Sequence, residues 1–199
     1  MLKDLYLKNS MIPKRYLEDI PLIPSSRDEQ TFIELNEIKK DIRGFVNRGE
    51  NLLICSNSCG NGKTTFATKM LKSFIEESSM FTYKYDTPVL FVNVNNFLND
   101  KKLAINDKAI ANRVKKIEKA ILTAKLVVFD DIADKTLSEY DMNTMYYWLD
   151  YRTSNKMSCI YTSNQTPPQL KSTLNGKMYS RIVNYSIVKE ITDGDHRGC

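Results

Sequence analysis

Residues 57–65 read Asn-Ser-Cys-Gly-Asn-Gly-Lys-Thr-Thr. They lie between an apolar run (Leu52, Leu53, Ile54, Cys55) and a stretch with helical apolar spacing at Phe66, Met70, Leu71, Phe74 and Ile75. Strand, glycine-bearing loop and helix in that order are the setting a phosphate-binding loop requires. Its backbone N–H groups, here from Asn57, Ser58, Cys59, Gly60, Asn61 and Gly62 through to Thr65, point inward and cradle phosphate oxygens. The helix that follows adds the positive end of its dipole. In this reading Lys63 reaches the β- and γ-phosphates of ATP and the Thr64 hydroxyl ligates Mg²⁺. Asn57 stands where the pattern G-x-x-x-x-G-K-[ST] has its first glycine. Asn tolerates positive φ better than most side chains, which makes the departure acceptable.

A second segment supplies the other half of such a site. Lys125 is followed by Leu126, Val127, Val128 and Phe129, a buried central strand, and then by Asp130 and Asp131. Two adjacent acids ending an apolar strand are costly in a plain core. At a nucleotide site, Asp130 would hold the metal and Asp131 would polarise the attacking water. P-loop ATPases more often carry Glu in the second place. The shorter Asp predicts slow turnover, stimulated by DNA or a partner. A further strand ends in Tyr161, Thr162, Ser163 and Asn164, and strand ends line the ligand crevice of such sheets. Asn164 is the candidate for positioning water or sensing the γ-phosphate. Arg181, just before the last strand, is placed as an arginine finger reaching a neighbouring subunit's γ-phosphate, and Arg197, after that strand, as a residue folding back on the nucleotide.

Apolar residues make up 42% of the 199 and charged residues 27%, the balance of a globular chain with one real core. No apolar run approaches the roughly 18 residues of a membrane span, and the N-terminus lacks a leader's apolar stretch. Cys55, Cys59, Cys159 and Cys199 have no metal-ligand spacing. They read as reduced thiols of a cytoplasmic protein, with Cys59 favoured as thiolate by the loop dipoles. The net charge of +5 permits nucleic-acid binding without demanding it.

Residues 1–27, with Pro13, Pro21 and Pro24, read as an extended arm, and 28–199 as the ATPase domain. Helices are expected over about 29–47, 63–77, around 107–121, 139–152, after Thr166, and around 178–183. Strands are expected at 51–56, 89–92, 126–129, 159–161 and 186–191, with a loop through Thr82, Tyr83 and Tyr85 before the second. This alternation predicts a three-layer α/β/α domain with a five-stranded, mainly parallel sheet.

The order of these motifs resembles the DnaC/DnaI-type helicase-loader family of AAA+ P-loop ATPases. The resemblance spans about residues 11–197. It is carried by Ile12-Pro-Lys-Arg15, by the phosphate loop, by Val127–Ile132, by Ser138-Glu-Tyr140, by Thr162-Ser-Asn164, by Tyr179-Ser-Arg-Ile182 and by Gly194-Asp-His-Arg197. It implies an AAA+/ASCE core without a C-terminal lid, ATP and Mg²⁺ as ligands, and single-stranded DNA and a hexameric replicative helicase as partners. It further implies self-assembly of the ATP-bound chain, with Arg181 acting in trans and Arg197 as a second sensor. Ser138 and Tyr140 then resemble part of a DNA-contacting surface. An inserted helical segment at about 95–122 would add Lys101 and Lys102, with Phe97 as a further stacking candidate. The family's separate N-terminal helicase-binding domain has no counterpart here, which leaves helicase contact to the 1–27 arm or another partner and suits a compact, phage-like version.

Three other readings remain open at this level. A transposase-helper ATPase of the IstB type has the same core. A nucleotide-gated binding module would share the site but not the turnover. A small nucleoside kinase fits the length, but the paired acids and the Thr162–Asn164 tip argue against it.

Overall fold

The computed structural model describes residues 2–78 and 88–192. Arg197, His196 and Cys199, and the stretch through Thr82, Tyr83 and Tyr85, lie outside the described residues.

Five strands, β1 (Asn51–Cys55), β2 (Val89–Asn93), β3 (Leu126–Asp130), β4 (Ser158–Ser163) and β5 (Ser186–Glu190), form one sheet in the order β2-β3-β4-β1-β5. Every pairing is parallel, so the sheet is wholly rather than mainly so. Around it stand α1 (Leu2–Asn9), α2 (Glu29–Lys40), α3 (Ile42–Arg48), α4 (Lys63–Ser78), α5 (Val94–Leu103), α6 (Lys108–Thr123), α7 (Glu139–Ser154), α8 (Pro167–Thr173) and α9 (Gly176–Tyr179), with a 3₁₀ turn at Lys14–Tyr16 and a π-helical turn at Ser180–Asn184.

The three layers follow from strand alternation. Leu52, Ile54, Val89, Phe91, Leu126, Val128 and Ile160 face one core, shared with Phe32, Leu35, Phe45, Phe66, Met70 and Phe74 of α2, α3 and α4. Their neighbours along the chain, Leu53, Cys55, Leu90, Val92, Val127, Phe129, Cys159 and Tyr161, face the other, with Val114, Ile117, Ile121, Met145 and Leu149 of α6 and α7. A strand buried on both faces must be apolar at every position, which is why the inner strands read as unbroken runs. Burial of Cys55 pushes its thiol up to about 12, so it is a packing residue. β5 is the exception: it is an edge strand, and Ile187 and Val188 remain partly exposed.

Local structure departs from the sequence expectation in three places. The expected helix at 29–47 is two helices, broken at Asp41, whose φ and ψ of −103° and 34° are not helical. The helical segment expected at about 95–122 is two helices, α5 and α6, and α5 starts directly at the end of β2, with the Asn93 side chain accepting from the Asn96 N–H at 3.1 Å. The arm is not extended throughout. It opens with α1, which buries Tyr6 against the domain, and the Ser10 carbonyl then accepts the Phe91 N–H of β2 at 2.7 Å. Two helix starts are capped: the Asp107 carboxylate accepts the Ala109 and Ile110 N–H groups ahead of α6, and Gln169 Oε1 accepts the Thr166 N–H ahead of α8. No helix among the described residues is long and apolar enough to cross a membrane.

Arg152 of α7 is wholly buried and makes no ion pair among the described residues. Nη1 donates to the carbonyls of Ile121 (2.6 Å) and Ala124 (2.8 Å), Nη2 to that of Ser158 (2.6 Å), and Nε to Cys159 Sγ (3.1 Å). The C-terminal carbonyls of α6, which have no partner within their own helix, thus receive a cation where the helix dipole is negative. Removing it leaves buried acceptors bare. Arg152→Met is expected to cost about 3 kcal/mol or more in urea unfolding. Lys115→Met, on the exposed face of α6, should stay within about 0.5 kcal/mol.

Candidate active site

Parallel strands present all their carboxyl ends on one edge, and the sheet order decides which ends meet. Register pairs Asn93 with Asp130 and Cys55 with Ser163, so the phosphate loop leaving β1 lies beside β4, and β4 beside the acid pair of β3. A cleft of about 410 Å³ opens there, lined by Cys59–Thr65, Asp131 and Asn164 on the domain side.

The loop is tied to the acids directly. Thr64 Oγ1 donates to Asp130 Oδ1 at 2.8 Å, and Thr162 Oγ1 donates to the same oxygen at 2.7 Å. Asp130 is 4% exposed and makes no ion pair among the described residues. Burial, and then the adjacent Asp131, push its carboxyl up to about 6, although the hydroxyls oppose the shift. The oxygens of buried Asp130, of half-buried Asp131 and of the Thr64 hydroxyl are the hard donors that Mg²⁺ takes. Thr64 and Asp130 therefore fit the ion the sequence assigned to them. When bound, Mg²⁺ would supply positive charge against the β- and γ-phosphate oxygens.

Asp131 is held in a left-handed conformation (φ 58°), and Ala133 after it likewise (φ 60°). Its N–H donates to Thr162 Oγ1 at 3.0 Å, and its Oδ2 accepts from Asn93 Nδ2 at 3.1 Å. Burial first, and then Asp134, raise its pKa. The backbone turn and the Asn93 amide together aim the second acid into the cleft. Asn93 and Thr162 are the residues that sequence reasoning left without a role. Thr162 was visible only as part of a polar strand tip. Asn164, singled out instead, lines the cleft with its amide on Asp134 Oδ1 at 3.0 Å.

Within the loop the positive φ values fall on Gly60 (83°) and Gly62 (90°) and not on Asn57, so the conformational argument for Asn57 was unnecessary. Asn57 and Ser58 do not line the cleft. Lys63 is buried, which lowers its pKa, and its ammonium donates to the Ser58 carbonyl (2.7 Å) and to Asn61 Oδ1 (2.8 Å). Asn61, wholly buried, also donates to Ser56 Oγ. Cys59 is exposed.

The far wall of the cleft comes from the arm: Arg15, Tyr16, Ile20, Pro21 and Leu22. Leu22 packs so near the loop that a Cβ on Gly62 would meet its Cδ2 at 2.7 Å. Lys69 and Lys72 of α4 fasten the strand of arm between, through Asp19 Oδ1 (2.8 Å) and the Glu18 carbonyl (3.1 Å). Arg15 adds a cation, stacked on the Tyr16 ring at 4.4 Å. Only its place in the Ile12-Pro-Lys-Arg15 segment could have drawn attention to it.

The remaining candidates are dispersed. Arg181 does not line this cleft, and both its Nε and Nη2 donate to Asp150. Phe97 is 4% exposed, with its ring 5.4 Å from that of Trp148, so it is a core residue with no face to offer a base. Ser138 caps α7 and donates to Asp141 Oδ2 at 2.7 Å, and Lys102 donates to the same oxygen at 2.9 Å. Lys101 pairs with Glu118 and lies 5.2 Å over the Trp148 ring. Tyr140 is 62% exposed and shares a second groove with Lys101 and Tyr147.

The Asp130 shift has a consequence for stability. Its folded pKa of about 6 lies above the ordinary 3.8, so the folded state binds the proton more tightly. The stability this carboxyl contributes is complete below about pH 4 and is lost as pH rises through 6. In chemical unfolding without nucleotide, Asp130→Asn should gain on the wild type between pH 4 and 7, by on the order of 2–3 kcal/mol.

No family model matches the sequence, and no curated protein matches it. The solved structures do. The DnaC helicase loader superposes with a TM-score of 0.64 at 24% identity, covering 90% of this chain and 99% of that one. DnaI gives 0.69 at 18%, covering 92% and 95%. The replication initiator DnaA bound to AMPPCP and single-stranded DNA gives 0.68 at 15%, over 91% of this chain and 51% of that one, so the chain spans about half of DnaA. At these identities the likeness is one of fold: the domain shares the three-layer α/β architecture of these proteins, which include helicase loaders of the kind its motifs resemble.

Proposed function

We propose that this chain is an ATPase of the helicase-loader type, which binds ATP with Mg²⁺ and uses it to engage single-stranded DNA and a hexameric replicative helicase. The observation that supports it most is the junction of Thr64, Asp130 and Thr162, which joins the phosphate loop to the buried first acid of the pair within 2.8 Å. A nucleoside kinase would need its acceptor in this cleft, where the arm stands.

In this reading Lys63 and the Gly60–Thr65 backbone hold the phosphates, and Thr64 and Asp130 hold the metal. Asp131, aimed by Asn93, accepts the proton of the attacking water, and Asn164 orients that water from the cleft rim. The base lies towards Tyr16, Ile20 and Leu22 of the arm. Arg181 completes the site of a second copy of the chain, and Arg197 belongs to the same proposal. DNA runs along the groove beside Tyr140 and Lys101, with Lys115, Lys116 and Lys119 of α6 exposed near it. Neighbours named as a helicase loader and as an initiator bound to AMPPCP and single-stranded DNA support these assignments.

Asp131→Asn should reduce hydrolysis about a hundredfold or more while leaving ATP affinity within a few fold, because only the proton acceptor is lost. Lys63→Ala should lose affinity itself. Measuring turnover with single-stranded DNA, duplex DNA, a replicative helicase and a transposase identifies the partner. Stimulation by single strands and helicase is the expected result. Tight duplex binding together with indifference to the helicase would favour a transposase helper, and ATP binding without turnover under any condition a nucleotide-gated switch.

A further inference from the structure

Arg181 lies in the π-helical turn Ser180–Asn184, packed against α7. Its Nε and Nη2 donate to Asp150 Oδ1 at 3.0 and 2.7 Å. The ring of Tyr185, itself 54% exposed, lies 5.2 Å from the guanidinium carbon. The carboxylate is fixed in turn, because Tyr146 donates its hydroxyl to the same oxygen at 3.3 Å. Lys177 lies over the Tyr146 ring at 5.7 Å. The side chains of Arg181 and Asp150 are 24% and 38% exposed.

An ion pair this exposed contributes little to stability, about 0–1 kcal/mol. Its geometry does something else. A guanidinium carries five N–H donors in a rigid fork. Asp150 takes one from Nε and one from Nη2, both on the same side of the fork. Three donors remain, on Nη1 and the far side of Nη2. An isolated arginine must give up the freedom of its long side chain to bind a phosphate. One already clamped on one side and stacked on one face has given up most of it beforehand.

We propose that Asp150, backed by Tyr146 and Tyr185, is the positioning residue for Arg181, presenting its free N–H groups to the phosphates bound by a second copy of this chain. The inference rests on the trans role proposed for Arg181 and adds the group that makes that role effective. Asp150 itself touches no nucleotide. It acts through the orientation of the guanidinium, which governs how well an attacking geometry is held.

Mixing two inactive chains tests this. Lys63→Ala chains lend Arg181 but bind no nucleotide, and Arg181→Ala chains bind nucleotide but lack the guanidinium. Together they should restore ATP hydrolysis. Asp150→Asn placed in the Lys63→Ala chain should lower the restored rate about tenfold or more. The same change placed in the Arg181→Ala chain should leave it unaltered, and Asp150→Glu in the lending chain should recover part of the loss. Equal loss in both placements would make Asp150 a folding residue and overturn the proposal. No loss, or a faster rate, in the lending chain would do so too. If the parent mixture restores nothing while the wild type hydrolyses ATP, the trans role of Arg181 fails first, and the separate controls make that distinguishable.

Discussion

One carboxylate oxygen joins the parts of this molecule. Asp130 Oδ1 accepts hydrogen bonds from hydroxyls of the first turn of α4 and of β4, the central strand of the sheet, while its own strand, β3, lies next to that centre. Three segments far apart in sequence converge on an atom that is buried and would be costly to leave uncompensated. The hydroxyls ease that cost without removing it, as the pKa near 6 records. The site is under electrostatic tension that the divalent cation proposed for it would relieve, and the packed fold around it would have to sustain that tension. The two cores, one on each face of the sheet, supply that packing.

Beyond this junction the site is asymmetric. Its inner wall is built from strand ends and a glycine-bearing loop, fixed by parallel pairing. Its outer wall is the arm, fixed by a few contacts with α4 and β2. Nucleotide would bridge the strand-end wall and an arm whose Tyr6, Ile12 and Tyr16 are themselves buried in the core beneath it. The surface proposed for DNA is organised differently. Lys102, Ser138 and Asp141 form a closed polar network there, so phosphate would have to compete with Asp141 for Lys102, whereas Tyr140 stands free of that network.

Much of this was legible in the sequence because it rests on local rules. The phosphate loop, the paired acids and the apolar inner strands each announce themselves within a few residues. What escaped notice has specific physical causes. Helical spacing from Leu35 through Ile42 to Val46 runs straight across the break at Asp41, so periodicity cannot register it. The run from Val89 to Leu98 stays rich in apolar residues while the backbone turns from strand to helix at Asn93, so neither the start of α5 nor the role of Asn93 as cap and partner of Asp131 could be read. Phe97 looked available for stacking because a sequence does not say which face of a helix meets Trp148. The arm's part in the cleft depends on contacts between residues forty or more positions apart, such as Leu22 with Gly62 and Asp19 with Lys69, which no local pattern encodes.

The left-handed backbone at residue 131 puts the choice of acid in a different light. As sequence, Asp in place of Glu looked like a chemical compromise, a shorter arm on the same base. As structure, it is one of the few side chains that accepts positive φ readily, because its short polar group can be satisfied close to its own backbone. A glutamate there would gain reach but would have to be held in a conformation it resists, and Asn93 is spaced for the shorter residue. Under the proposed function, catalytic reach and backbone shape are set by one amino acid, so the rate of hydrolysis would be a property of turn geometry as much as of chemistry.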